Sequence, residues 1–120
     1  MANILIADDS DSIRLVLKDI LSIGKHDVVG EAIDGNESVK MFTHLNPDLL
    51  LLDLAMPKKD GLSVVREIIS MHPNAKIILV TASDDHKVIG QCLDSGALAC
   101  LSKPFNFNNA LQLINEVLAK

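Results

Sequence analysis

Four stretches hold the residues best suited to chemistry: the acidic pair Asp8-Asp9, the carboxylate of Asp53, the hydroxyl of Thr81 and the ammonium of Lys103. Each closes or follows an apolar run. Asn3-Ile4-Leu5-Ile6-Ala7 leads to Asp8, Leu49-Leu50-Leu51-Leu52 to Asp53, Lys76-Ile77-Ile78-Leu79-Val80 to Thr81, and Leu98-Ala99-Cys100-Leu101 towards Lys103. Carboxylates crowded into one space repel each other, and a hard dication relieves that repulsion. Mg²⁺ takes oxygen ligands, keeps several waters, and commonly combines one or two carboxylates with a substrate phosphate. A lysine and a hydroxyl beside such an ion suit phosphoryl oxygens. A carboxylate nucleophile such as Asp53 can become an aspartyl phosphate. If the fold gathers these stretches, they make a Mg²⁺ (or Mn²⁺) site that handles a phosphoryl group.

The elements that must do the gathering alternate along the chain. The apolar run Asn3 to Ala7 reads as a buried strand. Ile13, Val16, Leu17, Ile20 and Leu21 then recur at helical spacing, with Ser10 or Asp11 placed to cap and Gly24 to stop. Val28 to Ala32 reads as a second strand. After the turn at Asp34-Gly35, a helix carries Val39, Phe42 and Leu45 and stops at Asn46-Pro47-Asp48. The four leucines 49–52 form a third strand, and their unbroken apolarity suits a central parallel position. Pro57 and Asp60-Gly61 punctuate the next loop, before a helix from about Leu62 to Met71. A strand over 76–81, a helix from about Asp85 to Ser95, a strand over 98–101 and a helix from Phe107 to Leu118 complete the chain.

Five strand–helix units predict an α/β fold: a doubly wound, flavodoxin-like parallel sheet of five strands in order 2-1-3-4-5 with five helices. Ligands in such sheets bind beyond the carboxyl ends of the strands, where the order reverses. The ends of strands 1, 3, 4 and 5 carry Asp8-Asp9, Asp53, Thr81 and Lys103. The topology therefore predicts that they meet.

Composition narrows the function further. The chain has 120 residues, and 48% apolar residues with only three Phe imply one domain over 1–120 with an aliphatic core. A formal net charge of −5 argues against direct nucleic-acid binding. No apolar run approaches the ~20 residues of a membrane helix, and no signal h-region is present. The expectation is a soluble, cytoplasmic protein with no membrane partner. Cys92 and Cys100 lack CxxC spacing and read as reduced thiols in the core. His26, His44, His72 and His86 show no metal-ligand spacing and read as solvated.

With these motifs in place, the sequence resembles the receiver domains of two-component response regulators. The matching stretches are Ile6-Ala7-Asp8-Asp9-Ser10, Leu52-Asp53-Leu54-Ala55-Met56-Pro57, Asp60-Gly61, Val80-Thr81-Ala82 and Lys103-Pro104-Phe105. They occur in order, and the likeness covers essentially the whole chain. The resemblance implies that Asp53 is the phosphoacceptor for a sensor histidine kinase or phosphotransfer protein. It implies a metal site of Asp8, Asp9, Asp53 and the Ala55 carbonyl, with Asp8 acting mostly through a bound water. Thr81, Ala82 and Lys103 would serve the phosphoryl group, the Lys103–Pro104 bond would be cis, and Pro57 and Gly61 would shape the neighbouring loop. The family's output surface of helix 4, strand 5 and helix 5 would meet a downstream protein target.

The chain departs from the family at one switch position. Where the pattern has an aromatic three residues before the lysine, it has Cys100. A thiol cannot report a movement of Thr81 by swinging a ring. The expectation is that the Ala82-Ser83-Asp84 loop and the following helix carry the signal instead.

Blander readings exist for each residue. Asp8 and Asp9 suit the start of a helix, Thr81 suits any strand, and Lys58 and Lys59 suit a solvated loop. An Asp following four buried leucines is costly unless compensated, and this favours the functional reading. Other functions fit less well. A phosphatase with an Asp nucleophile would need a general acid two residues on, where Ala55 stands. A flavin carrier would place FMN's phosphate against Asp8-Asp9. A pseudo-receiver scaffold would not need the full set of phosphorylation residues. The expected function is a monomeric phosphorylation switch rather than a conventional enzyme, of stand-alone chemotaxis or phosphorelay type; a receiver cut from a longer regulator is the alternative.

Overall fold

A computed structural model of the chain describes residues 1–82 and 86–120. The strands are β1 (Asn3–Ala7), β2 (Asp27–Ala32), β3 (Leu49–Leu52), β4 (Ile77–Thr81) and β5 (Ala99–Ser102). The helices are α1 (Asp11–Ile23), α2 (Gly35–Leu45), α3 (Gly61–Met71), α4 (His86–Asp94) and α5 (Phe107–Leu118). The strands form one parallel sheet in the order β2-β1-β3-β4-β5, as the sequence predicts.

Period-two alternation divides the core between the two faces of the sheet. Leu5, Leu50, Leu52, Ile77 and Leu79 point to one face and pack with Val39, Phe42, Val64, Val65, Ile68 and Cys92 of α2, α3 and α4. Ile4, Ile6, Leu49, Leu51, Ile78 and Val80 point to the other, against Leu17, Ile20 and Leu21 of α1 and Ala110, Ile114 and Val117 of α5. The four leucines of β3 are completely buried because helices cover both faces. That double cover is the reason for an unbroken apolar run.

Helix starts follow the capping residues. Ser10, Asp34, Asp60 and Asn106 each accept the backbone N–H three residues ahead and open α1, α2, α3 and α5. Several expectations shift in detail. Gly24 ends α1 with a right-handed φ of −77°, and the left-handed residue is Lys25 at φ 62°. A small residue suits the position: a Cβ on Gly24 would lie 2.5 Å from Leu111 Cδ1 of α5, so the tip of that leucine would have to move aside. The strand β5 runs one residue later than expected, over Ala99–Ser102, although the Leu98 N–H already bonds to the Ile77 carbonyl of β4. The expected start of α4 at Asp85 lies outside the described residues.

Two of the histidines expected to be solvated are half-buried and partnered. His26 Nδ1 accepts the Ala2 N–H at 3.2 Å and its Nε2 lies 2.8 Å from Asn115 Oδ1. His72 packs its ring 5.2 Å from Phe42 and lies 3.4 Å from Thr43 Oγ1. Both sit where chain segments converge at the amino end of the sheet, a juxtaposition with no local signature. Cys92 is fully buried, as expected, and Cys100 is half-buried against the same apolar cluster. Among the described residues, no helix is long and apolar enough to cross a membrane.

Candidate functional site

The register of the sheet brings the predicted residues together. Ala7 pairs with Leu52, so the next residues, Asp8 and Asp53, stand side by side at the carboxyl ends of β1 and β3. The Asp53 N–H continues the ladder by donating to the Ala7 carbonyl at 2.8 Å. Thr81 closes β4 opposite Ser102, and the Lys103 N–H donates to the Thr81 carbonyl at 2.9 Å. The Lys103–Pro104 bond is cis. From the far strand, the lysine reaches back across the sheet to the acids.

Its Nζ lies 3.0 Å from Asp8 Oδ2 and 3.6 Å from Asp53 Oδ1. Asp8 and Asp53 are 1% and 4% exposed, so a shared ammonium is the compensation that burying two carboxylates demands. Backbone donors add to it. The Ser10 N–H bonds to Asp8 Oδ1 at 2.9 Å, and the Ala55 N–H bonds to Asp53 Oδ1 at 3.2 Å. Burial raises the Asp53 carboxyl above the usual carboxylate range, and the charges of Asp8 and Asp9 push the same way; the Ala55 N–H and Lys103 oppose them.

Asp9 is exposed at the rim. One oxygen from each of Asp8, Asp9 and Asp53 lies within 4.8 Å of the others. Octahedral Mg²⁺ with ligands at about 2.1 Å spaces its donors about 3–4 Å apart. The trio therefore needs only a modest contraction to hold such an ion, and three oxygen donors match a hard cation. The site can keep one dication and one ammonium beside a buried carboxylate.

The remaining predicted residues frame this cluster. Ala55 is exposed two residues beyond Asp53. Thr81 is buried, and Ala82 is exposed beside it. Pro57 accepts the N–H groups of Gly35 and Lys59 at 3.2 and 2.9 Å, tying the β3–α3 loop to the start of α2. Gly61 is forced by contact, since a Cβ there would stand 2.9 Å from the Leu54 Cα. Thr81 and Cys100 lie on one face of the sheet, because Thr81 has the parity of Leu79, and Leu79 pairs with Cys100. A thiol thus occupies the position behind Thr81 along that face. The expected signalling loop is only partly visible: Ala82 is described, and Ser83 and Asp84 lie outside the described residues.

Some neighbours carry no obvious signal in the sequence. Lys58, at a left-handed φ of 72°, lies 3.5 Å from Asp34, and a hydrogen bond from the Glu37 N–H holds the Asp34 carboxyl below its usual range. Arg14 donates to the Asp8 carbonyl at 2.7 Å and to Glu31 at 3.0 Å. Its one sequence clue is position. It shares the helical stripe of Leu17 and Leu21, where an apolar residue would be ordinary.

Comparison with known proteins agrees with this geometry. Residues 4–115 match the response regulator receiver domain family. The chain is 34% identical to the chemotaxis protein CheY of Thermotoga maritima, covering 95% of each. It is also 34% identical to the transcriptional regulatory protein PdtaR of Mycobacterium tuberculosis, where 98% of this chain covers 57% of the relative. A chain of the solved CheX-CheY-BeF3-Mg complex from Borrelia burgdorferi superposes with a TM-score of 0.90 at 30% identity, over 98% of this chain and 90% of that one. The acidic trio at the switch point of a 2-1-3-4-5 sheet, its bridging lysine and the match across the chain lead to one conclusion: this chain belongs to the response regulator receiver family, the CheY-like signalling switches of two-component systems.

Proposed function

We infer that residues 1–120 act as one receiver unit whose phosphoacceptor is Asp53. The observation that carries this reading is the position of Lys103 Nζ between Asp8 and Asp53, at the rim of a trio of carboxylates. An Asp53 oxygen attacks the phosphorus of a phosphohistidine on a kinase or phosphotransfer protein. The O–P bond forms as the P–N bond breaks, and the imidazole leaves. Lys103 and Thr81 then meet the phosphoryl oxygens. Asp8, Asp9, Asp53 and the Ala55 carbonyl would hold Mg²⁺ or Mn²⁺, which neutralises the charge gathering there.

Modification then shifts an equilibrium that favours partner binding. The side of the molecule formed by α4, the edge strand β5 and α5 is the proposed docking face for a downstream protein, because β5 ends the sheet and the two helices flank it from opposite faces. With Cys100 in place of a ring, the backbone after Thr81 and α4 carry the change. The proposed setting is the cytoplasm, and the proposed type is a stand-alone, monomeric chemotaxis or phosphorelay regulator. The longer transcriptional regulator of which this chain matches 57% marks the alternative, a receiver cut from a longer protein.

Intact-mass measurement after incubation with Mg²⁺ and a small phosphodonor tests the assignment. Wild type gains one phosphoryl, and Asp53→Ala gains none. An adduct persisting on the folded variant overturns the assignment.

A further inference from the structure

Arg14 lies outside the acidic trio yet grips its backbone. It sits in the first turns of α1 with its side chain only 12% exposed. Its Nη1 donates to the Asp8 carbonyl at 2.7 Å, its Nε donates to Glu31 Oε1 at 3.0 Å, and its Nη2 pairs with Asp11. The second oxygen of Glu31 accepts from Lys18 Nζ at 3.2 Å. Glu31 belongs to β2 and stands opposite Ile6 of β1. One residue further on, the Ala32 carbonyl accepts the Asp8 N–H at 3.0 Å.

Both backbone groups of Asp8 are therefore held from β2. Its N–H is held directly by Ala32, and its carbonyl is held through Arg14 and Glu31. That carbonyl belongs to the peptide that joins Asp8 to Asp9. Rotation of that peptide re-aims the Asp9 side chain, the exposed member of the trio. A tie between α1 and β2 would need only the Arg14–Glu31 pair. The bond to the Asp8 carbonyl adds control over the ligand-bearing segment, and the planar guanidinium fork holds several acceptors in fixed directions at once.

We propose that Arg14, braced by Glu31, is a positioning residue for the acidic pair: by fixing the Asp8–Asp9 peptide, it sets the affinity of the trio for a divalent cation. This rests on the reading that the trio holds Mg²⁺. Its sign separates it from a plain charge effect. Removing a nearby cation should tighten Mg²⁺ binding through weaker repulsion, whereas losing the positioning bond should weaken it. Partners that orient metal ligands from behind typically govern affinity by about 10–100-fold.

The test is a Mg²⁺ titration of the full chain followed by amide NMR shifts, with thermal unfolding measured in parallel. Arg14→Ala is expected to weaken Mg²⁺ binding about tenfold or more, while Lys103→Met, which removes a cation inside the cluster, tightens it. Arg14→Lys keeps the formal charge and loses the fork, so its binding weakens by a smaller factor. If Arg14→Ala fails to fold, Arg14→Lys decides the question. Lys76, bonded to the Leu118 and Lys120 carbonyls at the opposite end of the sheet, is the structural control. Lys76→Met lowers the melting temperature and leaves the Mg²⁺ constant alone. Unchanged or tighter binding in folded Arg14→Ala or Arg14→Lys overturns the positioning role. A wild-type chain that shows no Mg²⁺-dependent shifts overturns the metal reading itself, and the role of Arg14 with it.

Discussion

At the amino end of the sheet, three polar side chains pair separately with groups around them. Asp48 accepts the Asn3 N–H at 2.7 Å, His26 links Ala2 to Asn115, and Lys76 donates to two carbonyls of the C-terminal segment. At the carboxyl end, Asp8 and Asp53 are more deeply buried and share the one ammonium of Lys103. The same sheet carries both ends, so the difference lies in the residues that flank its strands. Separate pairing at the amino end closes the fold. Shared pairing at the carboxyl end leaves a charge imbalance that an added cation or a modified Asp53 can correct. A switch needs the second kind of site, because a site already satisfied has nothing to gain from a ligand.

The strongest way to break this contrast is to remove the shared cation. Lys103→Met leaves two buried carboxylates with backbone donors alone, and in EDTA it should cost about 3 kcal/mol of stability, the low end for a buried pair because the lysine is partly exposed. Mg²⁺ should restore more stability to this variant than to wild type, since the ion then meets the repulsion unopposed. Urea unfolding with and without Mg²⁺ measures both. A loss of the same size in EDTA and in Mg²⁺ would mean that the lysine serves only as packing.

The next effect has the opposite sign. Asp53 holds its proton more tightly in the folded chain than in the unfolded one, because burial raises its carboxyl above the ordinary 3.8. Stability linked to that shift is fully present below the ordinary value and is lost as pH rises through the raised folded value. In metal-free buffer at pH 7, Asp53→Asn should therefore be more stable than wild type by about 1–2 kcal/mol. The advantage should shrink as the pH falls and vanish below about pH 4, once wild-type Asp53 is protonated in both states. Thermal melts across that range check it, and an advantage that persists in acid would assign the gain to something other than charge.

How far the sequence reveals these two ends depends on the same distinction. Asp8, Asp9, Asp53, Thr81 and Lys103 each stand at the close of an apolar run, and a parallel sheet turns that common position into proximity. The leucines 49–52 announce a strand covered on both sides, and Ser10, Asp34, Asp60 and Asn106 mark helix starts by local bonding. What escapes the sequence is long-range pairing. Arg14 meets Glu31 across 17 positions, and His26 meets Asn115 across 89. No periodicity encodes such contacts; they appear only when helix rotation and strand register are fixed. Gly24 shows the same limit, since the side chain nearest to a Cβ there is that of Leu111.

The smallest expected effect sharpens the contrast from the quiet end. His26 accepts from the Ala2 N–H through Nδ1 and faces Asn115 Oδ1 through Nε2, which matches the ring tautomer protonated at Nε2. It ties the residue before β1 to the last helix, at the end of the sheet opposite Asp53. Two neutral hydrogen bonds, half-shielded from water, are worth about 1–2 kcal/mol together, and His26→Ala should lose about that much. Because these bonds are uncharged and lie at the end of the sheet away from the acidic trio, the loss should be equal in EDTA and in saturating Mg²⁺, and the Mg²⁺ constant should match wild type. Parallel unfolding and titration measurements decide it. A His26→Ala chain with altered Mg²⁺ affinity would show that the two ends of the sheet are coupled, and that the amino end is part of the switch as well as of the frame.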